Sequence, residues 1–204
     1  MGPFSGKVGN VVGASWKGID YMRSLPRKSD KPLTEAQLAQ LSKMVLFRRF
    51  LFAINGLVVR GFQNFDQYTP MNAALSYNMT EAVTGSSPKF EINFPNLVFN
   101  RGNLQGGYLP VVTSPEVATL NFNWENGIFC PYSAVDDEVV LVVYDPIRKE
   151  FCYLTEGYSR ADGSAWIILP YNFSGHHVHC YLNFYSQDRK ISSTNQYLGK
   201  VQVA

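Results

Sequence analysis

The run His176-His177-Val178-His179, followed at once by Cys180, holds the most concentrated metal-ligand chemistry in the chain. Alternate residues of a β-strand share a face, so His177 and His179 could offer two imidazoles to one cation. A tetrahedral zinc site needs further ligands, and no His, Cys, Asp or Glu stands at a spacing that names them. The two histidines are therefore weak metal candidates, and the sequence assigns neither a metal nor any other cofactor. A strand histidine pair held by hydrogen bonds is the plainer expectation. Asp136-Asp137-Glu138 supplies oxygen donors, yet it reads as a solvated turn before a strand.

Other chemistry finds less support. The spacing Gly6-x-x-Gly9-x-x-x-Gly13 invites comparison with a phosphate loop, but neither GxGxxG nor GxxxxGK[ST] occurs. No G-x-S-x-G elbow is present, and all three histidines sit in one strand. No carboxylate pair recommends itself. The expectation is a protein that is not an enzyme. Cys130, Cys152 and Cys180 form no CxxC pair and lie beside aromatic residues, so they read as buried free thiols.

The N-terminal residues carry a different kind of chemistry. Lys7, Lys17, Arg23, Arg27 and Lys28 are interleaved with Trp16 and Tyr21 among many glycines. Cations contact phosphates and aromatic rings stack on bases, so Lys7, Trp16, Lys17, Arg23, Arg27 and Lys28 are candidates for a polyanion-binding or partner-binding site. Residues 1–60 hold ten Lys/Arg against three Asp/Glu, whereas residues 61–204 hold eight against thirteen. A front of +7 and a back of −5 can attract each other between copies, and head-to-tail contacts build rings or filaments. The charged fraction, 17%, is below the roughly 25% usual for soluble domains, which agrees with surface buried against partners.

These residues need elements to hold them, and four regions emerge. Residues 1–31 read as a basic, glycine-rich, extended arm with short extended pieces around Val8, Val11 and Val12, too poor in apolar side chains to fold alone. Residues 32–88 read as a two-helix region. Thr34-Glu35-Ala36-Gln37 fits a capping box, apolar spacing continues to about Val59 with weakness at Asn55-Gly56, and Gly61 is a stop. A second helix runs from Pro70 to Val83, ended by Gly85. Residues 89–107 read as short strands (90–94, 97–100) and linker. Residues 108–204 hold strands at 117–124, 138–145, 150–156, 165–169, 178–186 and 197–203, the spacing of an antiparallel, immunoglobulin- or fibronectin-like β-sandwich. The fold class expected is α+β.

No apolar signal segment opens the chain, and the window Met44–Val59 is broken by Arg48-Arg49, so no membrane span is expected. The protein reads as made in the cytoplasm without a signal peptide, within reach of a particle or surface assembly. The favoured function is a structural protein that self-associates through its arm into a homo-oligomer or larger assembly, as in a virion-like or surface particle. Two alternatives stand beside it. One is a nucleic-acid-binding protein that adds Arg48, Arg49 and Arg60 to the arm, and the other is a carbohydrate-binding module.

The strings Gly2-Pro3-Phe4-Ser5-Gly6-Lys7-Val8-Gly9, Val11-Val12-Gly13, Trp16-Lys17-Gly18-Ile19-Asp20 and Met22-Arg23-Ser24-Leu25-Pro26 resemble the opening of a family of unknown function. Its members are of about this length and encoded mainly by Bacteroidota. The likeness extends to Thr34-x-x-Gln37-Leu38, Asn72-Ala73-Ala74-Leu75-Ser76-Tyr77, Ala82-x-x-Gly85, Arg101-Gly102-x-Leu104 and Tyr197-Leu198-Gly199, so it spans nearly the whole chain. The resemblance implies no activity and no catalytic residues.

Overall fold

A computed structural model describes residues 5–27, 30–62, 68–127 and 132–204. The described residues are mostly antiparallel β-sheet with three α-helices, and the chain divides into two compact units, Met1–Glu35 and Ala36–Ala204.

In the first unit the expected extended arm is a folded sheet. Strands β1 (Gly6–Val8), β2 (Val11–Trp16) and β3 (Ile19–Ser24) form an antiparallel meander. Its two turns explain why so polar a stretch pairs at all. Gly9 takes φ +57° as the first central residue of the Val8–Val11 turn, while Lys17 and Gly18 both take positive φ, 49° and 81°, between the paired Trp16 and Ile19. Two-residue loops of these primed types match the right-handed twist of the flanking strands. Of the residues in the three strands, only Gly13 is buried.

Helix α1 (Glu35–Ala53) starts directly after Thr34, and all of it but Glu35 belongs to the second unit. The single long helix expected to Val59 is two. Ile54 leaves helical geometry (φ −115°, ψ 29°) just before the weak helix formers Asn55 and Gly56, and α2 (Asn55–Gly61) resumes with Gly61 as its last residue. Helix α3 (Pro70–Glu81) starts as expected. Thr69 Oγ1 accepts from the Asn72 amide at 3.3 Å, and Pro70 fills the first turn. It ends before Val83, because Val83 opens β4 (Val83–Ser86), the partner of β5 (Lys89–Ile92).

The strand expected over residues 97–100 does not form. Their buried backbone is satisfied by two asparagine side chains instead of a ladder. Asn78 Oδ1 accepts from the Val98 amide (2.9 Å) and its Nδ2 donates to the Val98 carbonyl (2.5 Å). Asn195 Oδ1 accepts from the Phe99 and Asn100 amides (3.0 and 3.1 Å), and its Nδ2 donates to the Leu97 carbonyl (2.9 Å).

Two further sheets follow. Strands β6 (Tyr108–Glu116), β7 (Thr119–Glu125) and β10 (Ser164–Ile168) form one, in the order β10-β7-β6. Strands β8 (Glu138–Asp145), β9 (Glu150–Leu154), β11 (His177–Tyr185) and β12 (Gln196–Gln202) form the other, in the order β12-β11-β8-β9. Strand β6 escaped the sequence reading because Pro110 and Pro115 lie in it. As an edge strand with register shifts on both sides of Val111–Thr113, it tolerates prolines that a central strand would reject.

Alternation assigns the cores. Leu120, Phe122 and Trp124 of β7, with Ala165 and Ile167 of β10, share one apolar cluster with Val139, Leu141, Val143, Cys180, Leu182 and Phe184 from the four-stranded sheet. The intervening residues Val140, Val142, Tyr144, Tyr181 and Tyr185 join Phe47, Phe50, Leu51, Ile54 and Val58 from the helices. The four-stranded sheet is therefore covered on both faces, which is why its central strand reads Val139-Val140-Leu141-Val142-Val143 without alternation. The helices and the C-terminal strands belong to this one unit.

Candidate functional site

The meander collects three of the six proposed binding residues, Lys7, Trp16 and Arg23, on one face. Cross-strand partners project to the same side, and alternate residues along a strand return to it. The pairings Lys7↔Val12↔Arg23, Ala14↔Tyr21 and Trp16↔Ile19 therefore put Lys7, Arg23, Tyr21, Trp16 and Ile19 on one face. Lys17 sits in the turn beyond Trp16. Arg27 follows β3 as an exposed residue, and Lys28 lies outside the described residues. The opposite face carries the ranks Val8↔Val11↔Ser24, Gly6↔Gly13↔Met22 and Ser15↔Asp20, in which Val8, Val11 and Met22 are exposed apolar residues. A spacing of about 7 Å between ranks sets cations at one end, Tyr21 in the middle and Trp16 at the other. Trp16 and Tyr21 are 49% and 43% exposed.

This face can bind, because its cations and open ring surfaces suit an anionic or polar partner. Ser15 and Asp20 stand opposite each other on the other side, and none of the three histidines lies in this unit.

The histidine strand has its own geometry. His177 is exposed and His179 buried. His179 stacks on Phe94 with ring centroids 3.8 Å apart, and its Nδ1 lies 2.9 Å from Tyr197 Oη. Burial, with Lys200 adding to it, pulls its pKa down to about 4. The nearest carboxylate contact belongs to His176, whose Nδ1 lies 2.6 Å from Asp145 Oδ2. Burial raises the Asp145 carboxyl, but His176 and the amides of Ile147 and Arg148 outweigh it and hold it below its ordinary value. No group of three or more His, Cys, Asp or Glu that could hold a metal lies together among the described residues.

Asp137 corrects the reading of residues 136–138 as a solvated turn. It is 1% exposed, and its Oδ2 accepts from Arg160 Nε at 2.8 Å and from the Ala134 amide at 3.0 Å. Arg160 also donates to the carbonyls of Gln105 and Gly106 and lies 3.9 Å over the Phe184 ring, while Trp124 Nε1 donates to the Arg160 carbonyl. The pair is structural, tying three loops to the core. Nothing local in the sequence links positions separated by 23 residues. Cys180 is buried, with its thiol pushed up to about 12, and burial also raises the half-buried Cys152; Cys130 lies outside the described residues. No helix among the described residues is long and apolar enough to cross a membrane.

Fold and face together define a β-rich α+β protein with an exposed basic-aromatic surface. Residues 3–199 match a family of unknown function, DUF6266, and the chain belongs to that family. No curated protein matches it. Among solved structures, the twitchin kinase region from C. elegans is similar at 10% identity and a TM-score of 0.38. The likeness covers 50% of this chain and 17% of that one.

Proposed function

We propose that this protein is a non-enzymatic structural protein that self-associates through its N-terminal meander, as a component of a virion-like or surface particle. One observation carries the reading: Lys7, Arg23, Tyr21, Trp16 and Ile19 share one open face of a sheet that buries almost nothing of its own. Three strands without a packed apolar face are marginal in water, so a partner surface supplies what the segment lacks. The complementary charge is present on the larger unit, where Glu116, Glu125, Asp136 and Glu156 are exposed. A basic face on one copy and an acidic surface on the next make a heterologous contact. We read the larger unit as an immunoglobulin- or fibronectin-like sandwich, supported by the core shared between its two sheets, and the family as one of the Bacteroidota.

The test is light scattering on the full chain and on a variant carrying Trp16→Ser, Tyr21→Ser and Arg23→Gln. The wild type should assemble and the variant should remain monomeric with an unchanged far-ultraviolet spectrum. Equal assembly of both overturns the reading.

The same interleaving of cations and rings favours one second reading, a single-stranded nucleic-acid surface. Its signature is a steep fall of affinity with salt that flattens when Lys7 and Arg23 are neutralised.

A further inference from the structure

Helix α1 has two apolar faces, and only one of them is used by the core. Phe47, Phe50, Leu51 and Ile54 are buried in the cluster beneath the helices. On the other side Leu38, Leu41, Val45 and Phe52 are 49%, 46%, 66% and 65% exposed. At 3.6 residues per turn these four fall within an arc of about 60°. Arg48 borders the arc on one edge and Arg49 on the other, both exposed. Shallow grooves of about 260, 480 and 520 Å³ run beside the stripe, and Arg49 lines all three.

Charge chooses the occupant. Residues 36–62 contain Lys43, Arg48, Arg49 and Arg60 and no Asp or Glu. A second α1 laid on the first would bring Lys43, Arg48 and Arg49 of each helix together with a single acid per helix, Glu35 at its first residue, to offset them, which disfavours self-pairing of this face. Leu38, Leu41 and Val45 line one of these open grooves and Val45 and Phe52 another, an uneven apolar relief suited to a deformable apolar medium. An interfacial helix has this arrangement: apolar side chains enter the acyl boundary, and bordering arginines reach the phosphates.

We propose that the outer face of α1 docks on an anionic lipid surface, with Leu38, Leu41, Val45 and Phe52 inserted and Arg48 and Arg49 on headgroup phosphates. This is a peripheral contact, and it stands independently of the meander reading.

The experiment is co-sedimentation of the full chain with vesicles of equal parts phosphatidylglycerol and phosphatidylcholine, and with phosphatidylcholine alone. The expected result is binding to the anionic vesicles that is about tenfold or more weaker on the neutral ones. Phe52→Ser should weaken it about tenfold, since much of a phenyl ring is no longer inserted. Arg48→Gln with Arg49→Gln should weaken it about as much and remove most of its salt sensitivity. All three positions are exposed, so unchanged thermal unfolding confirms intact variants. Equal partition onto both vesicle types, or no partition, overturns the proposal. So does vesicle binding that survives Phe52→Ser but vanishes in a Lys7→Gln, Arg23→Gln variant, because the lipid contact would then belong to the meander. Loss of lipid-free assembly in Phe52→Ser, with no lipid binding by the wild type, would make the stripe a protein interface and equally overturn it.

Discussion

The meander of residues 6–24 and the four-stranded sheet β12-β11-β8-β9 are both antiparallel, and they use opposite means to persist. The central strands of the larger sheet bury both faces, Val139, Leu141 and Val143 in one core and Val140, Val142 and Tyr144 in the other. The meander buries only Gly13 among the residues of its strands and relies on two tight turns and backbone pairing. Burial of apolar area is the dominant stabilising term, so the larger sheet has the makings of a scaffold, and the meander, on the function proposed above, those of a binding surface. Substitutions should therefore cost stability in one region and binding in the other.

The largest expected effect breaks the scaffold. Arg160→Met leaves Asp137 buried without its cation and frees two loop carbonyls, and it should lower unfolding free energy by about 3–5 kcal/mol in denaturant titration. A loss under about 1 kcal/mol would mean that the pair is not a tie between loop and core.

Asn195→Ala comes next. It removes the acceptor for two buried amides and the donor for the Leu97 carbonyl. A loss of about 3 kcal/mol is expected, with hydrogen exchange rising first at Phe99 and Asn100.

His179 gives the scaffold a pH signature. Its folded value, about 4, lies below the ordinary 6.5, so the unfolded chain takes up the proton first. The contribution is complete above pH 6.5 and is lost as pH falls toward 4. On the order of 2 kcal/mol should disappear across that window. His179→Gln should flatten the urea midpoint over the same range, and an unaltered slope would assign it to other groups.

The smallest expected effect sharpens the contrast from the other side. Tyr21→Ser with Arg23→Gln should change the unfolding free energy of the larger unit by less than about 0.5 kcal/mol while abolishing assembly on a sizing column. A large drop in stability would give the meander a scaffold role.

Much of this was legible in the chain, for reasons that differ by region. Glu138–Asp145 came out with both ends right because a continuous run of Val and Leu between turn residues admits little else. The start of α3 was legible because Pro70 acts locally, whereas the Thr69 cap emerged only from the structure. The meander was missed although Val8-Gly9-Asn10-Val11 carries a hairpin turn, because the polarity of the segment argued against any folded sheet. Strand β6 was hidden by its prolines. The candidate face was half visible: Lys7, Trp16 and Arg23 were picked by type, but only strand register puts them on one face.

What the sequence determined by itself is whatever a short window of residues dictates: the periods of the central strands, the start of α3 at Pro70, the cationic front and the lack of acids in residues 36–62. Tertiary structure decided everything that joins distant positions. It set Asp137 against Arg160, let Asn78 and Asn195 replace a ladder for residues 97–100, and chose which face of α1 to bury. The physical reason is that a buried polar group takes whichever partner the packing brings within hydrogen-bond reach, and distance along the chain places no limit on which partner that is.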